Sequence, residues 1–77
     1  MKVEIYSKSN CPYCDMAKDF FNSKDIVFTS YNAENVDIFN ELMERNPNAR
    51  TMPQIFINNK LVGGYTDLIE WYPKNIG

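Results

Sequence analysis

The only two cysteines of the chain, Cys11 and Cys14, stand in the run Asn10-Cys11-Pro12-Tyr13-Cys14. A thiol pair at this spacing can help hold a metal, close a disulfide or carry out thiol–disulfide exchange. A structural zinc site is a poor fit. The chain has no histidine, so four ligands could be assembled only by recruiting carboxylates or a second chain. A stabilising cross-link is an equally poor fit, because so short a loop hardly constrains the unfolded chain. Exchange chemistry remains, and it needs one sulfur that ionises readily and a second that waits beside it.

The local sequence supplies that asymmetry. With Cys11 at a helix N-cap, Pro12 falls at N1, where its missing N–H costs nothing and its fixed φ starts the helix. Cys14 is then N3, and its N–H can donate to the Cys11 sulfur as it would to a capping serine. The positive end of the helix favours the same charged sulfur. Thiols in such settings have pKa values of about 3.5–7.5, against about 8.5 for a free thiol. Cys11 is therefore the expected nucleophile and Cys14 the resolving thiol. Lys8 would add positive potential at Cys11, and Asp15 opposes it.

The elements that must hold the pair can be read on either side. Val3 and Ile5 alternate with Lys2, Glu4 and Tyr6, the pattern of a half-buried strand, and a polar break at Ser7 to Asn10 leads to the cysteines. Tyr13, Met16, Ala17, Phe20 and Phe21 then follow the spacing of one helix face. A second strand is predicted over residues 26–31. A second helix carries Val36, Phe39 and Met43, widened by Ile38 and Leu42, and ends at Pro47. Two short strands flank Asn58-Asn59, a pair suited to a two-residue hairpin turn, and Gly63-Gly64 closes the second of them. A last helix takes Thr66 or Asp67 as its N-cap and stops at Pro73 and Gly77. Phe20, Phe39 and Trp71 are expected in the core. The order β-α-β-α-β-β-α implies an α/β fold with a four-stranded mixed sheet flanked by helices, in a single domain over residues 1–77.

Composition excludes other classes. A net charge of −2, from eight basic and ten acidic residues without blocks, provides no stripe for nucleic acid. No apolar run is long enough to span a membrane, and the first residues do not have the form of a signal peptide. A reducing cytoplasm is the expected compartment, a host's if the source is viral, and a monomer the expected state.

Cys11-Pro12-Tyr13-Cys14 resembles the active-site motif of the dithiol glutaredoxins. The resemblance extends to Lys8 before the motif, to Thr51-Met52-Pro53 as the counterpart of a threonine-valine-proline loop, and to Gly63-Gly64-Tyr65-Thr66-Asp67 as the double-glycine segment with its trailing aspartate. It implies a thioredoxin-like fold, a cis proline at Pro53 and glutathione as co-substrate with no permanently bound cofactor or metal. Its implied substrates are disulfide or glutathionylated proteins, with ribonucleotide reductase among the candidate clients. Met52 in place of valine, Asp15 after the motif and the short tail after Asp67 depart from the family pattern.

The same segments can be read physically. Met52 precedes a proline and so favours extended backbone, whose N–H and C=O can pair with a peptide such as glutathione. Gly64 lets a ligand approach. Thr66 at the following helix start suits a γ-glutamyl carboxylate, and Asp67 suits its ammonium. Lys8 is a candidate partner for the glycine carboxylate, with Arg45, Asn40 or Arg50 as further candidates, and Tyr13 would flank the peptide. Two other functions compete: a redoxin that draws electrons from a flavoprotein reductase to serve ribonucleotide reductase, and a module that binds an iron–sulfur cluster between two chains.

Overall fold

In the computed structural model, which describes residues 1–76, the chain forms β1 (Val3–Ser7), α1 (Pro12–Ser23), β2 (Thr29–Asn32), α2 (Val36–Arg45), β3 (Gln54–Ile57), β4 (Lys60–Gly63) and α3 (Tyr65–Asn75). The strands lie in the order β2-β1-β3-β4. β1 pairs in parallel with β2 and antiparallel with β3, and β3 pairs antiparallel with β4. The four-stranded mixed sheet expected from the element order is therefore present, and with it the thioredoxin-like fold that the resemblance implied. Asn58 and Asn59 have φ of 52° and 66°, the left-handed pair that a tight I′ hairpin requires.

Strand alternation divides the core into two layers. Val3 and Ile5 pair across to Ile57 and Ile55, and this face packs on Ala17 and Phe21 of α1 and Leu68 of α3. Glu4 and Tyr6 pair across to Phe56 and Gln54, and that face is covered by α2 through Leu42. All five residues of β1 are buried, so the strand expected to be half-buried is covered on both sides. Glu4 is accommodated by a bidentate pair with Arg45, at 3.0 and 3.1 Å. Arg45 also donates to the Tyr6 hydroxyl at 3.0 Å and lies over the Phe56 ring, 3.9 Å from its centroid. Burial pushes the Glu4 carboxyl up, but the Arg45 hydrogen bonds and charge outweigh it and hold the group below the ordinary carboxylate range.

Several sequence expectations shift. Residues 26–28 do not pair as strand. Ile26 and Phe28 instead pack against the apolar core from an irregular segment, and β2 begins at Thr29. α1 turns Cys14, Ala17 and Phe21 to the sheet, which leaves Tyr13 and Met16 exposed. Phe39 is exposed because Leu42 faces the sheet, whereas Phe20 and Trp71 are half-buried against the core. The N-cap of α3 is Gly64, not Thr66 or Asp67, and the helix runs through Pro73. The expected stop at Gly77 lies outside the described residues. No helix among the described residues is long and apolar enough to cross a membrane.

Candidate active site

The carboxyl end of β1 leads through Lys8, Ser9 and Asn10 to Cys11. Asn10 takes φ 53°, and Cys11, extended at φ −120°, becomes the N-cap of α1 with Pro12 at N1. The Cys14 N–H donates to Cys11 Sγ at 3.2 Å, the capping bond anticipated from the sequence. Glu34 fastens the loop from the other side by accepting the Ser9 N–H at 3.1 Å and the Ser9 hydroxyl at 2.7 Å. These two bonds hold the Glu34 carboxyl below the ordinary range.

The two cysteines are joined as a disulfide. They differ in access: Cys11 is 7% exposed and Cys14 0%, so an incoming sulfur can reach only the first. Across from Cys11, the Met52–Pro53 bond is cis, as the resemblance implied. The Met52 carbonyl oxygen lies 3.6 Å from Cys11 Sγ.

Met52 also lines a groove of about 500 Å³ between the Thr51–Gln54 segment and the start of α3. It brings together seven of the expected site residues: Tyr13, Thr51, Met52, Pro53, Gly64, Thr66 and Asp67. Tyr13 stacks on Tyr65, with ring centroids 6.2 Å apart, to form a wall. The Asp67 carboxylate accepts the Gly64 N–H at 2.9 Å, so this residue caps α3 as well as facing the groove. The strict need for glycine falls on Gly63 rather than Gly64. Gly63 has φ +120°, and a β-carbon there would lie 2.8 Å from Asp67 Cγ, whereas one on Gly64 would meet only ordinary contacts.

Lys8 lies apart from the groove, on a surface with Asp15 and Lys18. Arg45 is committed to Glu4 and Tyr6, which removes it as a free cation for a ligand carboxylate. Asn40 and Arg50 are exposed and do not line the groove. Among the described residues no group of three or more acidic, cysteine or histidine side chains converges as a metal site. Tyr65, placed by its sequence in the double-glycine segment but given no role there, also lines the groove, as do Asn46 and Gln54, which were not singled out. A polar residue opening an otherwise apolar strand was the available signal for Gln54.

Comparison with known proteins agrees with this architecture. The family model described as Glutaredoxin matches residues 3–62. Glutaredoxin 3 of Escherichia coli strain K12 is 39% identical over 66 residues, covering 86% of this chain and 80% of the relative. The crystal structure of glutaredoxin 1 from Francisella tularensis, complexed with cacodylate, superimposes with a TM-score of 0.80 at 30% identity, covering 95% of this chain and 93% of that one. A buckwheat glutaredoxin–glutathione complex shares the fold, with a TM-score of 0.78 at 24% identity over 94% of this chain and 68% of that one. With its cysteine pair at the head of α1 and its cis-proline edge opposite, the chain belongs to the glutaredoxin family.

Proposed function

We propose that this chain is a glutathione-dependent thiol–disulfide oxidoreductase that reduces glutathionylated thiols and protein disulfides, acting as a monomer in a reducing cytoplasm. One observation carries the reading: the accessible sulfur of the pair lies at a helix N-terminus, 3.6 Å from the carbonyl of Met52, a residue that lines the groove. The groove suits an extended zwitterionic peptide. The Met52 backbone offers strand-like pairing. The N–H groups at the start of α3, with Thr66, suit a carboxylate, and Asp67 suits an ammonium.

In the reduced protein, the Cys11 thiolate attacks the glutathione sulfur of a mixed disulfide. The Cys11–glutathione bond forms, the client's bond to glutathione breaks, and the client leaves as a thiolate that takes up a proton. A glutathione thiolate then attacks the bound glutathione sulfur, releasing oxidised glutathione and restoring Cys11. Alternatively, the Cys14 thiolate attacks Cys11 Sγ, expels glutathione and leaves the Cys11–Cys14 disulfide, which two further glutathiones reduce. The Cys14 N–H and the helix dipole favour charge on Cys11 when it attacks and when it is expelled.

The test is turnover of a glutathionylated peptide by the wild type, Cys11→Ser and Cys14→Ser, with glutathione or a thioredoxin-type reductase as electron source. Glutathione should support the wild type, Cys11→Ser should be inactive, and Cys14→Ser should keep this activity while losing most reduction of protein disulfides. Turnover supported only by the reductase would instead assign the chain to the redoxins fed by a flavoprotein.

A further inference from the structure

Gln54 is a buried carboxamide set against the Thr51–Pro53 segment, and the exchange chemistry does not use it. It opens β3 on the sheet face covered by α2, is 7% exposed, and lines the groove with Met52. Its Nε2 donates to the Thr51 carbonyl at 2.8 Å, and its Oε1 accepts from Asn46 Nδ2 at 3.2 Å. Asn46, the C-cap of α2, uses its own Oδ1 to accept the Asn48 N–H at 3.3 Å.

This chain of amides has one possible polarity. A backbone N–H only donates and a carbonyl only accepts, so Asn48 at one end and Thr51 at the other fix the orientation of both carboxamides between them. The Thr51–Met52 peptide is trans, since Met52–Pro53 is the cis bond. Its C=O and N–H therefore point in opposite directions within one rigid plane. Holding the Thr51 carbonyl from the protein side fixes the direction of the Met52 N–H, which donates to no backbone group among the described residues.

We propose that Gln54, oriented by Asn46, is a positioning residue that locks the Thr51–Met52 peptide plane so that the Met52 N–H is presented to the peptide part of an incoming disulfide substrate. The inference rests on the peptide-binding reading given above. The lock acts on substrate binding and leaves the sulfur exchange at Cys11 untouched.

Two variants test it. Gln54→Leu keeps a similar volume and removes the donor. Asn46→Asp keeps the acceptor for Asn48 but replaces the donor facing Gln54 with a second acceptor, so the Gln54 carboxamide is drawn to turn its nitrogen away from Thr51. The measurements are KM and kcat for a glutathionylated peptide, the rate of Cys11 alkylation by iodoacetamide, and the residual dipolar coupling of the Met52 amide. In both variants KM should rise roughly five- to tenfold, the worth of about one hydrogen bond, with kcat and alkylation within about twofold of wild type. The Met52 coupling should change while those of β1 stay fixed. An unchanged KM in folded variants overturns the proposal, as does a parallel fall in kcat and alkylation, which would place the effect at Cys11. If Gln54→Leu does not fold, Asn46→Asp decides alone. A wild type inactive on the glutathionylated peptide would overturn the proposed function instead. The Met52 coupling would then decide the positioning role, and an unchanged coupling would overturn it.

Discussion

The two faces of the sheet solve the same covering problem in different ways. Under α1 and α3 the contacts are apolar, from Val3, Ile5, Ile55 and Ile57 to Ala17, Phe21 and Leu68. Under α2 the packing is threaded with directed bonds. Arg45 pairs with Glu4 and Tyr6, the Tyr6 hydroxyl donates to Glu41 at 2.8 Å, and Asn46 and Gln54 reach on to Thr51. Apolar burial is non-directional and sets how strongly the layers hold. Hydrogen bonds have geometry, so the second face also sets where α2 sits relative to the sheet. The face that carries the cysteine helix supplies strength. The other supplies the placement on which the groove depends.

That division can be broken or sharpened by substitution. The largest effect is expected on the apolar face, where Phe21→Ala should cost about 3–5 kcal/mol in a urea melt. A loss under about 1 kcal/mol would show that this face is not the main source of stability. Next comes Arg45→Met, which strands Glu4 without its cation. Because the Arg45 side chain is 22% exposed, the expected cost is about 2–3 kcal/mol, below the value for a fully buried pair. The double variant Glu4→Leu/Arg45→Met should recover most of it, and a double variant no more stable than Arg45→Met alone would argue against the pair as a directed tie.

The smallest effect is a dependence on pH. Glu4 has a depressed pKa in the folded protein, so its contribution is complete above the ordinary carboxylate range and is lost as pH falls through the depressed value. Wild type should therefore exceed Glu4→Gln in stability near neutrality, and the gap should narrow on acidification. Parallel stability profiles of the two proteins would remove Glu4 as the source of that dependence.

The same contrast explains what could be read in the sequence. The cysteine helix, its N-cap and the Asn58-Asn59 turn depend on residues close in the chain, and their spacing displays them. Seven of the expected groove residues came together because their segments carried a family resemblance as well as a local pattern. The α2 face was illegible for a physical reason. Glu4 and Tyr6 look like a solvent face until Arg45, 41 residues from Glu4, folds over them. No local periodicity announces a partner that distant. Arg45 was thus considered for a ligand when its charge belongs to the core. Asp67 gave the opposite ambiguity, since a helix cap and a ligand contact call for the same residue at the same place, and only the Gly64 bond shows that it performs the first.

β1, from which the cysteine loop departs, is an inner strand flanked by β2 and β3 and buried along its whole length. Native proteins open in steps, with exposed edges exchanging their amide protons long before inner strands. β2 and β4 are the edges here, and every one of their residues is exposed or half-exposed. Local opening confined to those edges leaves the strand that anchors the thiol pair closed. The Cys11–Cys14 disulfide is thus tethered to the part of the sheet least exposed to fraying, and a change at the pair need not disturb the core beneath it.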